Sequence, residues 1–124
     1  MRGFHRAGAW LAATLALAAC ESSVDRQRAT ICRQVLPALS PADAAIRILR
    51  VSEDASAATI QIDYARNGAP SRQFWTACRF GPGAELAGIT TERGPLSGAS
   101  LYLLKRYYLD TPDAAAADPA SQAR

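Results

Sequence analysis

Two segments in the middle of this 124-residue chain alternate between apolar and polar side chains. Residues 59–64 read TIQIDY and residues 72–80 read RQFWTACRF. A period of two is typical of strands that bury one face. Asn67 and Gly68 lie between the segments and readily accept positive φ, so the strands are predicted to pair as an antiparallel hairpin. An antiparallel sheet with one buried face is therefore the central element that this sequence predicts.

The second of these strands has two different faces. One is formed by Phe74, Thr76, Cys78 and Phe80, and the other by Gln73, Trp75, Ala77 and Arg79. The face with two phenylalanines is expected in the core, because burying large apolar side chains is the main driving force of folding. Cys78 lies between the two rings and is therefore predicted to be buried.

One helix is predicted before the strands in the sequence, and another after them. Residues 24–36 place apolar side chains at helical spacing, and Pro37 ends or kinks this helix. After a further short strand over residues 86–91, Ser97 can cap a last helix over residues 100–109. In this order the helices and the strands occupy separate regions of the chain, which favours an α+β fold.

Residues 46–51, IRILRV, leave two interpretations open. Ser40 as a cap and Pro41 at the first position indicate the start of a helix that could continue through this segment. The β-branched residues favour a strand that begins after a single helical turn.

The predicted fold is a small α+β domain, with an antiparallel sheet of three to four strands and an N-terminal and a C-terminal helix packed on one of its faces. The domain is expected to cover residues 20–109. Residues 110–124 contain no large apolar side chain and are predicted to form a disordered tail.

Residues 1–19 have the pattern of a secretory signal peptide. Arg2, His5 and Arg6 form a basic head, and the 13 residues of the segment 7–19 carry no charge. That segment is too short for a bilayer span, which takes roughly 20 residues. The alternative is a buried N-terminal helix of a cytoplasmic domain, and the abrupt change to polar residues after Cys20 argues against it.

The end of this segment, Leu17-Ala18-Ala19-Cys20, resembles the lipobox of bacterial lipoproteins. The resemblance implies that the Cys20 thiol receives a diacylglycerol and that Cys20 becomes the N-terminus after cleavage. The protein would then be anchored in the cell envelope and face the periplasm, with the outer membrane favoured over the inner one because Glu21, and not aspartate, follows the cysteine. The competing interpretation is cleavage after Ala18, which would leave Cys20 as a free thiol.

Lipidation of Cys20 would leave Cys32 and Cys78 as an even pair in an oxidising compartment, where a disulfide is expected. A redox-active pair is the alternative, but such pairs often lie two residues apart, and these cysteines are 46 positions apart. Two thiolates without histidine fall short of the four ligands that zinc normally takes. The sequence therefore predicts neither a metal nor a cofactor.

Composition excludes several classes of function. Without Arg2 and Arg6, 12 basic residues face 11 acidic ones, so a net charge near +1 gives no basis for binding nucleic acid. The only histidine, His5, lies in the predicted signal peptide. The mature chain would therefore lack the general base of histidine-assisted serine or cysteine hydrolysis.

Three hypotheses about function remain. The first is a non-enzymatic envelope lipoprotein that contacts an envelope protein at the membrane surface through Tyr102, Arg106 and Tyr107, since tyrosine and arginine are enriched at interfaces. The second is a periplasmic module that binds a small ligand between the sheet and the last helix. Its candidate residues are Tyr64, Trp75 and Arg79. The third, a carboxylate-dependent enzyme, would draw on Glu53, Asp54, Asp63, Glu85 and Glu92, although these form no recognisable motif.

Overall fold

The computed structural model describes residues 23–69 and 71–122. Its elements, in chain order, are α1 (residues 23–38), β1 (Ile46–Asp54), β2 (Thr59–Arg66), β3 (Phe74–Phe80), β4 (Leu86–Thr91), β5 (Gly94–Pro95), α2 (Gly98–Leu104), a π-helical turn (Lys105–Leu109), α3 (Pro112–Ala116) and α4 (Pro119–Gln122). The strands form one antiparallel sheet in the order β1-β2-β3-β4-β5. The α+β class is confirmed, with five strands where three to four were predicted.

The additional strand, β5, consists of Gly94 and Pro95, two residues that in the sequence indicate a break after β4. Gly94 adopts a φ of 115°, which glycine tolerates, and Thr91 pairs with it across a tight turn. Pro95 has no N–H to donate, and it is compatible with the sheet because it lies on an edge strand. Two residues paired at an edge leave no periodic pattern in the sequence.

The core lies on one face of the sheet, as the alternation predicts. The buried side chains of β2 are those of Ile60, Ile62 and Tyr64, and β3 buries Phe74, Thr76, Cys78 and Phe80. Leu86 and Ile89 of β4 join them, with Cys32, Val35 and Leu36 of α1. The helix therefore covers the same face on which the two phenylalanines lie.

Residues 46–51 are part of β1, so the structure favours the strand over the helix. No regular helix forms between Pro41 and β1: the segment after Pro41 is a single turn, closed by a hydrogen bond from Ala44 N to Pro41 O. Ser40 does not cap a helix there, because its hydroxyl donates to Leu36 O of the preceding helix at 2.8 Å. The β-branched residues of this segment pair instead with β2.

A disulfide between Cys32 and Cys78 joins α1 to the central strand β3, as predicted, with 5.9 Å between the Cα atoms. Both cysteines are fully buried. Nearer the start of the helix, Arg28 donates to the carbonyl oxygens of Gly83 and Gly81, at 2.7 and 3.3 Å. The covalent bond and these hydrogen bonds fix α1 to the sheet and to the turn that follows β3.

The prediction of a disordered tail after residue 109 is wrong for residues 112–122, which form α3 and α4. Ala114 is buried, and the carboxylate of Asp118 pairs with Arg33 of α1 at 3.2 Å. Asp118 also accepts a hydrogen bond from the N–H of Ala120. The segment packs through a small residue and an ion pair, and neither gives a signal in a search for large apolar side chains.

No helix among residues 23–69 and 71–122 is both long enough and apolar enough to span a bilayer. The predicted signal peptide and lipobox lie outside the residues that the structure describes.

Candidate functional site

The helical segment after the sheet exposes a cluster of large side chains. Tyr102, Leu103 and Tyr107 are 61%, 54% and 69% exposed, and Arg106 beside them is exposed as well. Residues four positions apart are neighbours on a helix surface, which brings Tyr102 next to Arg106 and Leu103 next to Tyr107. We call these four residues the aromatic face.

The opposite side of the same segment is firmly attached to the domain. Leu101, Leu104 and Leu109 pack against the core cluster. The ammonium group of Lys105 donates to Leu86 O at 2.9 Å and pairs with Glu85 at 2.6 Å. These contacts fix the rotation of the segment, so the aromatic face is held pointing outward.

The predicted helix over residues 100–109 differs from the observed one in two respects. It begins at Gly98, with the Ser97 side chain accepting from Ser100 N as predicted, and it changes to a π-helical turn at Lys105. The N–H of Asp110 donates to Lys105 O, five residues back, at 3.1 Å. Single π turns are rare and occur frequently at functional sites. Arg106 and Tyr107 of the aromatic face both lie in this turn.

A shallow groove of about 380 Å³ runs along the aromatic face. Its lining includes the side chains of Leu101, Tyr102, Lys105, Arg106 and Asp110. The groove provides a depression beside the Tyr102 ring into which a side chain from another molecule could insert.

Tyr108, adjacent to the aromatic face, points into the domain and donates from its hydroxyl to Gln34 O at 2.7 Å. Partial burial raises the pKa of Tyr108 above its ordinary value, and the negative charges of Asp113 and Asp118 raise it further. The folded state therefore favours the neutral phenol. This contribution to stability is fully present below the unfolded pKa of about 10, and it is lost as the pH rises through the higher folded pKa.

We expect Tyr108→Phe to lower the free energy of unfolding by about 1 kcal/mol at pH 7, because it removes one hydrogen bond. The difference from the unsubstituted protein should shrink above about pH 10, where the tyrosine of the unfolded chain loses its proton while that of the folded chain still holds it. Urea unfolding between pH 7 and pH 11 measures both effects. Tyr107→Phe is the control and should change neither value, since this ring is exposed. A difference that stays constant to pH 11 would contradict the role assigned to the hydroxyl proton.

The residues proposed from the sequence for partner binding come together, whereas those proposed for ligand binding do not. Tyr102, Arg106 and Tyr107 share the aromatic face. Leu103 belongs with them and was missed. Its spacing of four from Tyr107 indicates that the two are neighbours on the helix, but not that they are exposed. An exposed leucine between tyrosines looks the same in sequence as one that docks on the sheet.

Tyr64, Trp75 and Arg79 cannot form one site. Tyr64 is 1% exposed and faces the core, where its ring stacks on Phe74 with 5.7 Å between the ring centroids. Trp75 and Arg79 lie on the opposite face of the sheet, because side chains alternate along β3. The three candidates therefore do not share one face of the sheet, as the alternation of the sequence already indicated.

The acidic residues considered for catalysis are dispersed over the fold. Glu85 pairs with Lys105, Glu92 accepts from Trp75 N at 3.4 Å, and Asp63 accepts from Gln61 at 3.2 Å. Asp54 is the last residue of β1, and hydrogen bonds from the Ser56 hydroxyl and from Ala57 N in the following turn hold its pKa below the ordinary value. Within residues 23–69 and 71–122, no three side chains of the metal-binding types cluster.

Comparison with family models, with curated proteins and with solved structures finds no match to this chain. The residues of this chain and their geometry are therefore the basis of the function proposed for it.

Proposed function

We propose that this chain is a lipid-anchored protein of the bacterial cell envelope that acts, without catalysing a reaction, by binding a partner protein through the aromatic face. The observation that carries the proposal is the simultaneous exposure of Tyr102, Leu103 and Tyr107 next to Arg106. Single exposed apolar side chains are normal, but a contiguous group of them marks an interaction site.

The chemistry of this face suits a protein partner. Tyrosine and arginine are enriched in interface cores and in the residues that dominate binding energy. Since Leu104 and Leu109 hold the segment on the core, little conformational entropy would be lost when a partner binds. The groove beside Tyr102 gives the partner a shape to fill as well as a surface to cover.

The lipobox resemblance at residues 17–20 supports the anchor and the periplasmic side of the envelope. Three residues of extended chain reach at most about 10 Å, so a lipid on Cys20 would keep the start of α1 close to the bilayer. Arg28 ties that end of α1 to Gly83, and Lys105 pairs with Glu85 just after the same turn. The part of the helical segment at Lys105 would therefore lie near the membrane surface, and the aromatic face beside it would meet a partner there.

A photo-crosslinking residue at position 107 of the full chain tests the contact in intact envelopes. We expect a discrete adduct with one protein from position 107 and none from position 49, where Leu49 is 46% exposed on β1. Tyr102→Ala, which leaves the buried contacts intact, should weaken the adduct. Adducts with lipid alone would reject a protein partner in favour of headgroup contact, and equal adducts from both positions would reject the aromatic face.

The anchor is tested separately with Cys20→Ala. We expect this substitution to move the protein from the membrane fraction to the soluble fraction, and the unsubstituted protein to carry the mass of acyl chains on a chain that begins at Cys20. Density separation of the membranes then tells outer from inner membrane. An unlipidated chain would reject the anchor without affecting the test of the aromatic face.

A further inference from the structure

A pocket of about 320 Å³ lies at the far end of the sheet from the start of α1. It is bounded by the segment after α1, by the end of β2, by the turn between β4 and β5, and by the residues that lead into α2. The lining residues that matter here are Leu39, Tyr64, Arg66, Arg93, Leu96 and Ser97. Small-ligand pockets typically have volumes of roughly 300–1,000 Å³, so this one could hold a small molecule.

Arg66 is the unusual residue of this pocket. Its guanidinium lies 4.0 Å above the centre of the Phe74 ring, and its Nη2 donates to Leu39 O at 3.2 Å. Across the described ranges, no carboxylate lies within 4.0 Å of it, and its buried Nε has no hydrogen-bond acceptor. A half-buried cation without a counterion is costly, because burial removes much of its hydration. An anion in the pocket would offset that cost.

The surroundings of Arg66 favour an anion further. Arg93 is exposed at the rim of the pocket, and the guanidinium of Arg72 lies 5.1 Å from the centre of the Phe74 ring. One carboxylate, that of Glu92, also lines the pocket, and it accepts a hydrogen bond from Trp75 N at 3.4 Å. Three arginines against one carboxylate leave the local charge positive.

The other side chains of the pocket indicate the rest of the ligand. Leu39, Pro95 and Leu96 provide apolar surface beside the arginines. The hydroxyl of Ser97, which accepts from Ser100 N, lines the same pocket. A ligand that fits would carry one oxyanion group for the arginines and a short apolar body for the leucines.

We propose that this pocket binds a small organic anion whose carboxylate or phosphate group pairs with Arg66 and Arg93 and whose apolar part contacts Leu39 and Leu96. Arginine binds both oxyanions through paired hydrogen bonds, so the chemistry of recognition is shared. The site does not depend on the lipid anchor or on the aromatic face, from which it is separate.

Nuclear magnetic resonance of the ¹⁵N-labelled full chain in detergent micelles tests the proposal. Sodium butyrate and sodium phosphate are the two probes, and sodium chloride at matched ionic strength is the blank. We expect saturable shifts confined to the amides of residues 91–94, 96 and 97 and to the Arg66 Nε–H. Saturation by butyrate alone would assign a carboxylate ligand, saturation by phosphate alone a phosphate ligand, and saturation by both a site that accepts either oxyanion.

Arg93→Gln is the decisive substitution, because this residue is exposed and its replacement leaves the core intact. We expect it to weaken the binding of the active probe by about tenfold, since a charge-assisted hydrogen bond contributes at least that factor. Arg26→Gln, an exposed residue of α1 at the other end of the sheet, is the matched control and should change nothing. The proposal would be overturned if the probes produced the same shifts as sodium chloride, or if Arg93→Gln and Arg26→Gln weakened the binding of the probe equally.

Discussion

Replacing both Cys32 and Cys78 by alanine is expected to lower the free energy of unfolding by about 4 kcal/mol. The disulfide closes a loop across 46 positions, and the chain-entropy model assigns a bond of this span roughly that value. Loss of two fully buried sulfur atoms adds a packing term. Since small domains are stable by only about 5–15 kcal/mol, the variant should be close to unfolding at 37 °C.

Urea unfolding of the oxidised and the reduced protein separates the two contributions. Reduction of the unsubstituted chain breaks the bond but keeps both sulfur atoms, so it should produce most of the loss. The double alanine variant should not respond to the reductant. A reduced protein as stable as the oxidised one would show that packing around α1, and not the covalent bond, holds the helix on the sheet.

Phe74→Ala is expected to have the next largest effect, a loss of about 4 kcal/mol in the free energy of unfolding. The ring is buried, stacks on Tyr64 and supports the guanidinium of Arg66 on its face. Its removal would open a cavity and would leave Arg66 with only the more distant ring of Tyr64, whose centre lies 5.7 Å from the guanidinium. The same unfolding experiment measures the loss.

Trp75→Ala is the matched control for this position. Trp75 follows Phe74 directly but lies on the partly exposed face of β3. Its removal should therefore lower the free energy of unfolding by less than half of the value expected for Phe74→Ala. Equal losses in the two variants would mean that the core is not confined to one face of the sheet. Phe74→Leu, which keeps apolar volume, should fall between the two.

The parts of the fold that follow from local pattern were predictable. The alternation in β2 and β3 identified both strands and the core face, and the position of Cys78 between two phenylalanines pointed to its burial. The bond to Cys32 followed from the cysteine count once Cys20 was set aside. These inferences needed only the period of a strand and the chemistry of thiols in an oxidising compartment.

The elements that depend on tertiary contacts were not predictable. Residues 94–95 extend the sheet because the turn after Thr91 brings them back to β4, and no propensity marks two such residues as a strand. The alanine-rich α3 and the short α4 are held by the ion pair between Asp118 and Arg33, which are 85 positions apart. In both cases a contact distant in sequence outweighs local composition.

The aromatic face and the Arg66 pocket also differ in how far the sequence could predict them. Tyr102, Arg106 and Tyr107 lie within two turns of one helical segment, so their proximity could be inferred from spacing alone. Arg66 was overlooked because its surroundings come from Leu39, Phe74 and Arg93, which only the folded chain brings together. That no carboxylate among the described residues pairs with it is visible only in the three-dimensional structure.

The bond between α1 and β3 also determines which parts of the protein carry mechanical load. In the proposed arrangement, with the N-terminus held by a lipid and a partner on the aromatic face, a pull between the two would pass along α1 to Cys32, cross directly to Cys78, and continue through β4 into α2. The second half of α1, all of β1 and β2, and most of β3 lie outside that path. Those strands could open without lengthening the tether, so the distance between membrane and partner would stay fixed even while half of the sheet fluctuates.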